Sequence, residues 1–240
     1  MDSLTNGRIA ELLADLHQQA DSADQSLKEQ IMAAVAASGK SLEQFFAGKI
    51  AKDKADYETG LSGIGLKSAL SGQAERFLAV SPSYGRFLYT CVRASRATRI
   101  VEFGTSMGIS TIYLAAGLRD NGSGQLIGSE IEPTKVVRAK ANVKAAGLSD
   151  LVDIREGDAM QTLRNVDDKV DLLLLDGAFP LYLPMLKLIE PRLKTGALVL
   201  AENALDREYL DYVRSPANGY LSQSVILDEA RGNEFTVMTR

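Results

Sequence analysis

The chain changes rhythm near residue 97. Before that point apolar residues recur every three or four positions; beyond it, short apolar runs alternate with helical stretches. "GRIAELLADLHQQA" sets Ile9, Leu12, Leu13 and Leu16 on one helical stripe. "DQSLKEQIMAAVAASGK" repeats the spacing through Leu27, Ile31 and Val35, with Gly39 as a stop. Residues 41–80 are mixed, and "TGLSGIGLKSALSG" at 59–72 reads as a loop or a short helix. Ser81 and Pro82 then make a helix entry, a capping hydroxyl followed by a proline in the first turn.

Five segments read as strands: "RIVEF" (99–103), "GQLIGSE" (124–130), "LVDIREG" (151–157), "VDLLLLD" (170–176) and "GALVLAEN" (196–203). The fourth is apolar on consecutive positions, as a strand buried on both faces requires. Helices are expected near 108–118, 134–146, 181–193 and 205–213. The alternation implies βαβ units, a parallel sheet and right-handed crossovers. "YLSQSVIL" (220–227) and "EFTVMTR" (234–240) break the rhythm and read as a hairpin. The expected fold class is α/β: a Rossmann-like, seven-stranded, mostly parallel sheet with one antiparallel strand from the C-terminal hairpin, plus N-terminal helices.

Composition narrows the chemistry. The 240 residues suffice for one substantial core, with 45% hydrophobic and 24% charged residues, ordinary for a globular protein. A net charge of −4 argues against a whole-surface attraction to nucleic acid. No segment approaches the roughly 20 apolar residues of a membrane span, and no signal peptide is evident, so a cytoplasmic location is expected. One cysteine, Cys91, excludes an intrachain disulfide, and one histidine, His17, excludes a multi-histidine metal site. Any metal site must be built from oxygens, which suits hard ions. His17 sits at the edge of an apolar stripe and reads as a surface or packing residue. Cys91 reads as a small buried one.

Between the first strand and the next helix lies "VEFGTSMGIS" (101–110). Gly104 and Gly108 let the backbone approach a ligand closely and turn into a helix, whose free N–H groups suit a carboxylate or phosphate. A tight turn with no ligand explains a glycine pair equally well. The dinucleotide pattern G-x-G-x-x-G fails, because Ser106 holds its second glycine position. The next strand ends in "SEIEP". There Glu130 can accept hydrogen bonds from a ribose diol, while Glu130 and Glu132 read alone are a solvated strand end beside a helix start. "EGDAM" ends the third strand and offers Asp158 and Ala159 to an adenine, and Asp176 ends the fourth.

Taken in order, "RIVEFGTSMGISTIYLA", "GSEIEP", "EGDA", "LLLLDGAFPLY" and "LVLAEN" resemble the class I S-adenosylmethionine-dependent methyltransferases. They are most similar to the small O-methyltransferases related to catechol and caffeoyl-CoA O-methyltransferases. The resemblance runs from about Ser81 to the C-terminus. It implies an S-adenosyl-L-methionine-binding domain over 81–240, while the helical extension over 1–80, whose apolar stripes need a surface to bury against, is expected to act as a lid or dimer contact. The resemblance also implies that Gly104, Thr105, Ser106 and Ser110 hold the methionine part of the cofactor, with Glu102 behind them. Glu130 would bind the ribose, and Asp158 and Ala159 would flank the adenine. Asp176 would lie near the methionine amine and, with Glu202 and Asn203, would bind a divalent cation, Mg²⁺ or Ca²⁺. Glu202 and Asn203 read alone simply end a strand and lead into a helix.

Two departures bear on catalysis. Phe179 stands where the family often has a lysine, and Glu202 where it usually has an aspartate. Tyr182 keeps the family's aromatic position. A divalent ion bound to a hydroxyl stabilises the oxyanion, so Asp176 carries the catalytic expectation even without a side-chain base. The expected activity is methyl transfer to a hydroxyl of a small molecule, aromatic or not, by a homodimer with no nucleic-acid or membrane partner. Two rivals remain: a non-catalytic cofactor-binding or scaffold protein of the same fold, which Phe179 favours, and an NAD(P)-dependent oxidoreductase. The second is disfavoured by the missing glycines and by the distance of Glu130 from the turn, more than the ~20 residues its fingerprint expects.

Overall fold

A computed structural model describes residues 2–5, 7–58, 74–166, 169–227 and 232–240. The reading of 59–72 as a loop or short helix lies outside these residues. The two N-terminal stripes belong to one helix, α1 (Gly7–Ser38), because no glycine or proline interrupts them. Its buried face is Ile9, Leu13, Leu16, Ala20 and Asp24, and past Asp24 no residue of the helix is buried. The mixed segment after Gly39 holds a second helix, α2 (Leu42–Glu58). Its start is a capping box: Ser41 Oγ accepts from the Gln44 N–H, and Gln44 Oε1 accepts from the Ser41 N–H, both at 3.2 Å. The third helix, α3 (Pro82–Ser95), begins as expected, with Ser81 Oγ accepting the Tyr84 N–H at 3.0 Å.

From residue 99 the chain builds β1 (Arg99–Phe103), α4 (Ile109–Asn121), β2 (Gln125–Glu130), α5 (Pro133–Ala146), β3 (Val152–Glu156) and the short α6 (Ala159–Thr162). Then come β4 (Val170–Leu175), α7 (Tyr182–Ile189), β5 (Leu193–Ala201), α8 (Arg207–Arg214), β6 (Tyr220–Val225) and β7 (Asn233–Met238). The helix expected over 181–193 stops early. Pro191 has no N–H to continue it, and a 3-10 turn at Glu190–Arg192 leads into β5, which starts three residues before the glycine that seemed to open it.

The seven strands lie in the order β3-β2-β1-β4-β5-β7-β6. All neighbouring pairs from β3 to β5 are parallel, and β7 runs antiparallel to both β5 and β6. Strand order reverses between β1 and β4, the position where open α/β sheets bind ligands. Register brings the strand ends together there. Phe103 pairs with Ser129 and with Leu175, and Leu175 pairs with Ala201. The next residues in each strand, Gly104, Glu130, Asp176 and Glu202, therefore share one edge of the sheet.

One face of the sheet is covered by α3, α4, α5 and the first half of α1, whose Ile9, Leu13, Leu16 and Ala20 join the same core as Leu88, Val92 and Leu114. The other face packs on α7 and α8 through Tyr182, Met185, Leu186, Tyr209 and Val213. The N-terminal helix thus shares a core with the sheet. Among the described residues no helix is long and apolar enough to cross a membrane.

Candidate active site

The glycine turn is organised around a buried carboxylate. Glu102, the fourth residue of β1, is fully buried. It accepts hydrogen bonds from Ser110 Oγ (2.7 Å) on one oxygen, and from Thr111 Oγ1 (2.6 Å) and Thr105 Oγ1 (3.0 Å) on the other. Burial pushes its pKa up, and the three hydroxyls pull it back. Glu102 therefore lies behind the turn, as expected, with its oxygens fixing the turn's shape. Thr105 and Ser110 spend their hydroxyls on it too. What the turn presents outward is backbone.

Gly104, at φ +93°, shows why a side chain is excluded. A Cβ there would lie 2.4 Å from the carbonyl oxygen of Asp176. This close approach welds the end of β1 to the end of β4. Gly108, at φ +84°, is the N-cap of α4, and a Cβ on it would press on Ala139 of α5 at 3.3 Å.

Glu130 closes the turn from the side. Its Oε2 accepts the Ser106 N–H at 2.8 Å and its Oε1 the Glu132 N–H at 2.9 Å. Each oxygen keeps a further lone pair for a ligand hydroxyl. Glu132 is a helix cap, accepting the Thr134 N–H at 3.4 Å, as its sequence position suggests. Asp158 is exposed and caps α6 by accepting the Met160 N–H at 2.9 Å. Ala159 beside it is buried.

Asp176 and Glu202 follow paired residues of β4 and β5. Asp176 is half-buried and Glu202 buried, and the Asn203 side-chain amide donates to the Glu202 carboxylate. Asn203 holds a left-handed backbone, φ +47°, with its N–H on Asn233 Oδ1 at 3.1 Å. Two phenols face this end. Tyr182 donates to the Glu202 carbonyl at 2.7 Å, whereas the buried Tyr84 hydroxyl has no hydrogen-bond partner among the described residues. Burial first, then the Glu202 and Asp176 charges, push the Tyr84 pKa well above its ordinary value. Burial, then Asp176 and Glu202, do the same for Tyr182. Both shifts favour the protonated phenol, which can donate a hydrogen bond. Two carboxylates and an amide at adjacent strand ends offer oxygen donors of the kind a hard divalent cation takes. Among the described residues no group of three or more His, Cys, Asp or Glu is placed to hold a metal, so such a site would depend on Asn203.

Sequence reasoning missed α2. Phe46 of that helix meets Phe179 edge-on, ring centroids 6.0 Å apart, and Phe179 in turn meets Tyr182 at 5.8 Å. Eight residues further along, Lys54 pairs with Asp206 at 2.8 Å and Glu208 at 2.9 Å, at the start of α8. The aromatic residue in the lysine position is thus covered by the N-terminal region. The "SLEQ" capping box was the available signal for the helix; nothing local marked its partner. His17 and Cys91 take no part. His17 contacts the Tyr113 hydroxyl at 3.1 Å, with burial lowering its pKa, and burial pushes the Cys91 thiol up to about 12.

Residues 101–204, which span the turn and all four strand ends, match the family model for a methyltransferase domain. Over 139 residues the chain is 32% identical to a catechol O-methyltransferase of Niastella koreensis, covering 56% of this chain and 62% of the relative. A catechol O-methyltransferase of Mycobacterium tuberculosis is 30% identical over 129 residues, 53% of this chain and 58% of the relative. The chain thus spans about six-tenths of the length of these curated relatives. An O-methyltransferase from Bacillus cereus, solved with S-adenosylhomocysteine, shares the fold at TM-score 0.62 and 21% identity, over 74% of this chain and 91% of that one. So does an O-methyltransferase from Streptomyces achromogenes solved with S-adenosylmethionine, at TM-score 0.62 and 23% identity, over 72% and 90%. Residues 101–204 are thus similar to a methyltransferase domain, and the matches bear out the resemblance to class I S-adenosylmethionine-dependent O-methyltransferases.

Proposed function

We propose that the protein transfers a methyl group from S-adenosylmethionine to a hydroxyl of a small aromatic molecule, assisted by a divalent cation. The observation that carries the cofactor half is the joint at Ser106. Its N–H is held by Glu130, in a turn that Gly104 presses against Asp176, so three strand ends meet in one crevice. In this reading the outward backbone of 104–106 receives the methionine end, Glu130 the ribose diol, and Asp158 and Ala159 the adenine.

When bound, the cofactor supplies a methyl already activated on a sulfonium, so the protein mainly aligns the acceptor and removes its proton. A cation held by Asp176, Glu202 and Asn203 would make the acceptor hydroxyl more acidic. Phe179 and Phe46, both half-buried, with Tyr182 buried behind them, would supply an apolar, aromatic surface that suits a ring. In this reading the cation takes over the part of a side-chain base, because Phe179 stands at the lysine position.

Titration calorimetry with S-adenosylhomocysteine tests the cofactor, with one site per chain expected. Turnover of mixed phenolic acceptors in EDTA, then with Mg²⁺, Ca²⁺ or Mn²⁺ restored, tests the metal. Full activity in EDTA would reject the ion while leaving methyl transfer standing. No turnover of any acceptor by a chain that binds the cofactor would favour the non-catalytic rival.

A further inference from the structure

Immediately before α3, the segment Phe77–Val80 crosses the glycine turn. With Gly104–Met107, Ile109, Ser110 and Asp176 it lines one cleft, whose free volume is only about 10 Å³. The segment is tied down from both sides. Ser106 Oγ donates to the Phe77 carbonyl at 2.5 Å. From the other side comes Asp24, buried in the middle of α1. Its Oδ1 accepts the Phe77 N–H at 3.0 Å and its Oδ2 the Leu78 N–H at 2.7 Å. One carboxylate thus grips two successive backbone amides across more than fifty residues of sequence.

The grip has a conformational counterpart. Leu78 sits at φ +48°, a left-handed conformation that a bulky side chain disfavours, and its side chain is exposed. Among the described residues no packing of that side chain explains the conformation, whereas the two bonds to Asp24 do. A strained backbone held by its surroundings is a frequent mark of a ligand clamp. Nearby, the buried Lys135 of α5 lies within electrostatic reach of Glu130 and Asp24, so the two carboxylates share a positive charge.

We infer that Asp24 is a positioning residue for the cofactor: it sets the segment Phe77–Val80 over the turn that receives the amino-acid end of S-adenosylmethionine. The inference rests on the cofactor reading above. It gives a specific task to a residue of the N-terminal helix, outside the matched methyltransferase stretch. Asp24 itself touches no ligand; it acts through the backbone of Phe77 and Leu78.

The test compares two ligands on three proteins. S-adenosylhomocysteine carries the amino-acid end, and 5′-methylthioadenosine lacks it. In Asp24→Ala both amide bonds are lost. The dissociation constant for S-adenosylhomocysteine should then rise about tenfold, the size expected for hydrogen bonds to a charged group. That for 5′-methylthioadenosine should stay within about twofold. Asp24→Asn keeps one acceptor oxygen and should fall between. It also carries the test alone if the alanine variant does not fold, which thermal melts would show. Unchanged affinity for both ligands, or equal losses for both, would overturn the inference. Absence of S-adenosylhomocysteine binding by the unaltered protein would instead overturn the cofactor reading.

Discussion

The two ends of the crevice are built by opposite means. At the cofactor end, the polar groups of the turn are matched mostly within nine residues, Glu102 with Thr105, Ser110 and Thr111 and Glu130 with Glu132, and Glu130 reaches across one βα unit to Ser106. At the acceptor end, the surroundings come from afar. Phe179 is covered by Phe46, Asp206 is paired by Lys54, and Asn203 is braced by Asn233. Local matching fixes the turn itself, while its cover, Phe77–Val80, is set from afar by Asp24. Assembly from distant elements makes a pocket whose lining can change without disturbing that turn. The departures from the family pattern, Phe179 and Glu202, both lie at the second end.

Substitutions can separate the ends. The largest effect is expected for Asp176→Ala, which belongs to both. Turnover should fall by roughly 100-fold or more, the scale of losing a metal-assisted charge stabilisation, and calorimetry should show weaker cofactor binding as well. Asn203→Ala should cut turnover while sparing cofactor affinity; an equal loss of both would erase the proposed division.

Gly104→Ala should be the most damaging change to stability in the turn. The added Cβ meets backbone at 2.4 Å, and the φ of +93° disfavours any side chain. A loss of about 2–3 kcal/mol is expected from overpacking and backbone strain together, read from denaturant melts. A melt unchanged from the parent would mean that the turn is looser than described.

Glu130→Ala removes an acceptor of two backbone N–H groups and the proposed ribose contact. Cofactor affinity should weaken by about 1–3 kcal/mol, with little change in the acceptor KM. The smallest effect is expected for Phe46→Ala. It strips the ring that covers Phe179 and should raise the acceptor KM by a factor matching about 0.5–1.5 kcal/mol, leaving cofactor affinity untouched. If Phe46→Ala weakened the cofactor instead, the two ends would not be independent.

The same contrast explains what could be read from the sequence. The strands from 99 onward were legible because each carries its own apolar run, and their order at the sheet edge follows from right-handed crossovers. Glu130 and Asp176 were legible as strand-end acids. The grip of Asp24 on Phe77 and Leu78 was not, because an aspartate on a helix gives no sign of a partner fifty residues away. Nor was the cover of Phe179. The "SLEQ" start of α2 was visible, but its second half, "KDKADYE", carries no apolar stripe to reveal a buried face. Even β5 was cut short, since Lys194, Thr195 and Gly196 hide its beginning.

The reversed direction of β7 has a consequence for synthesis. Because it runs against β5, its first residues lie beside the last residues of β5. There the Ala204 N–H donates to the Gly232 carbonyl at 2.7 Å, and Asn233 holds the Asn203 N–H. As the chain leaves the ribosome, every group that shapes the glycine turn, from Asp24 to Asp176, has been made before Asn203. The brace for Asn203 arrives only thirty residues after it. A nascent chain therefore carries all the parts of a finished cofactor turn while its acceptor end still lacks its last support.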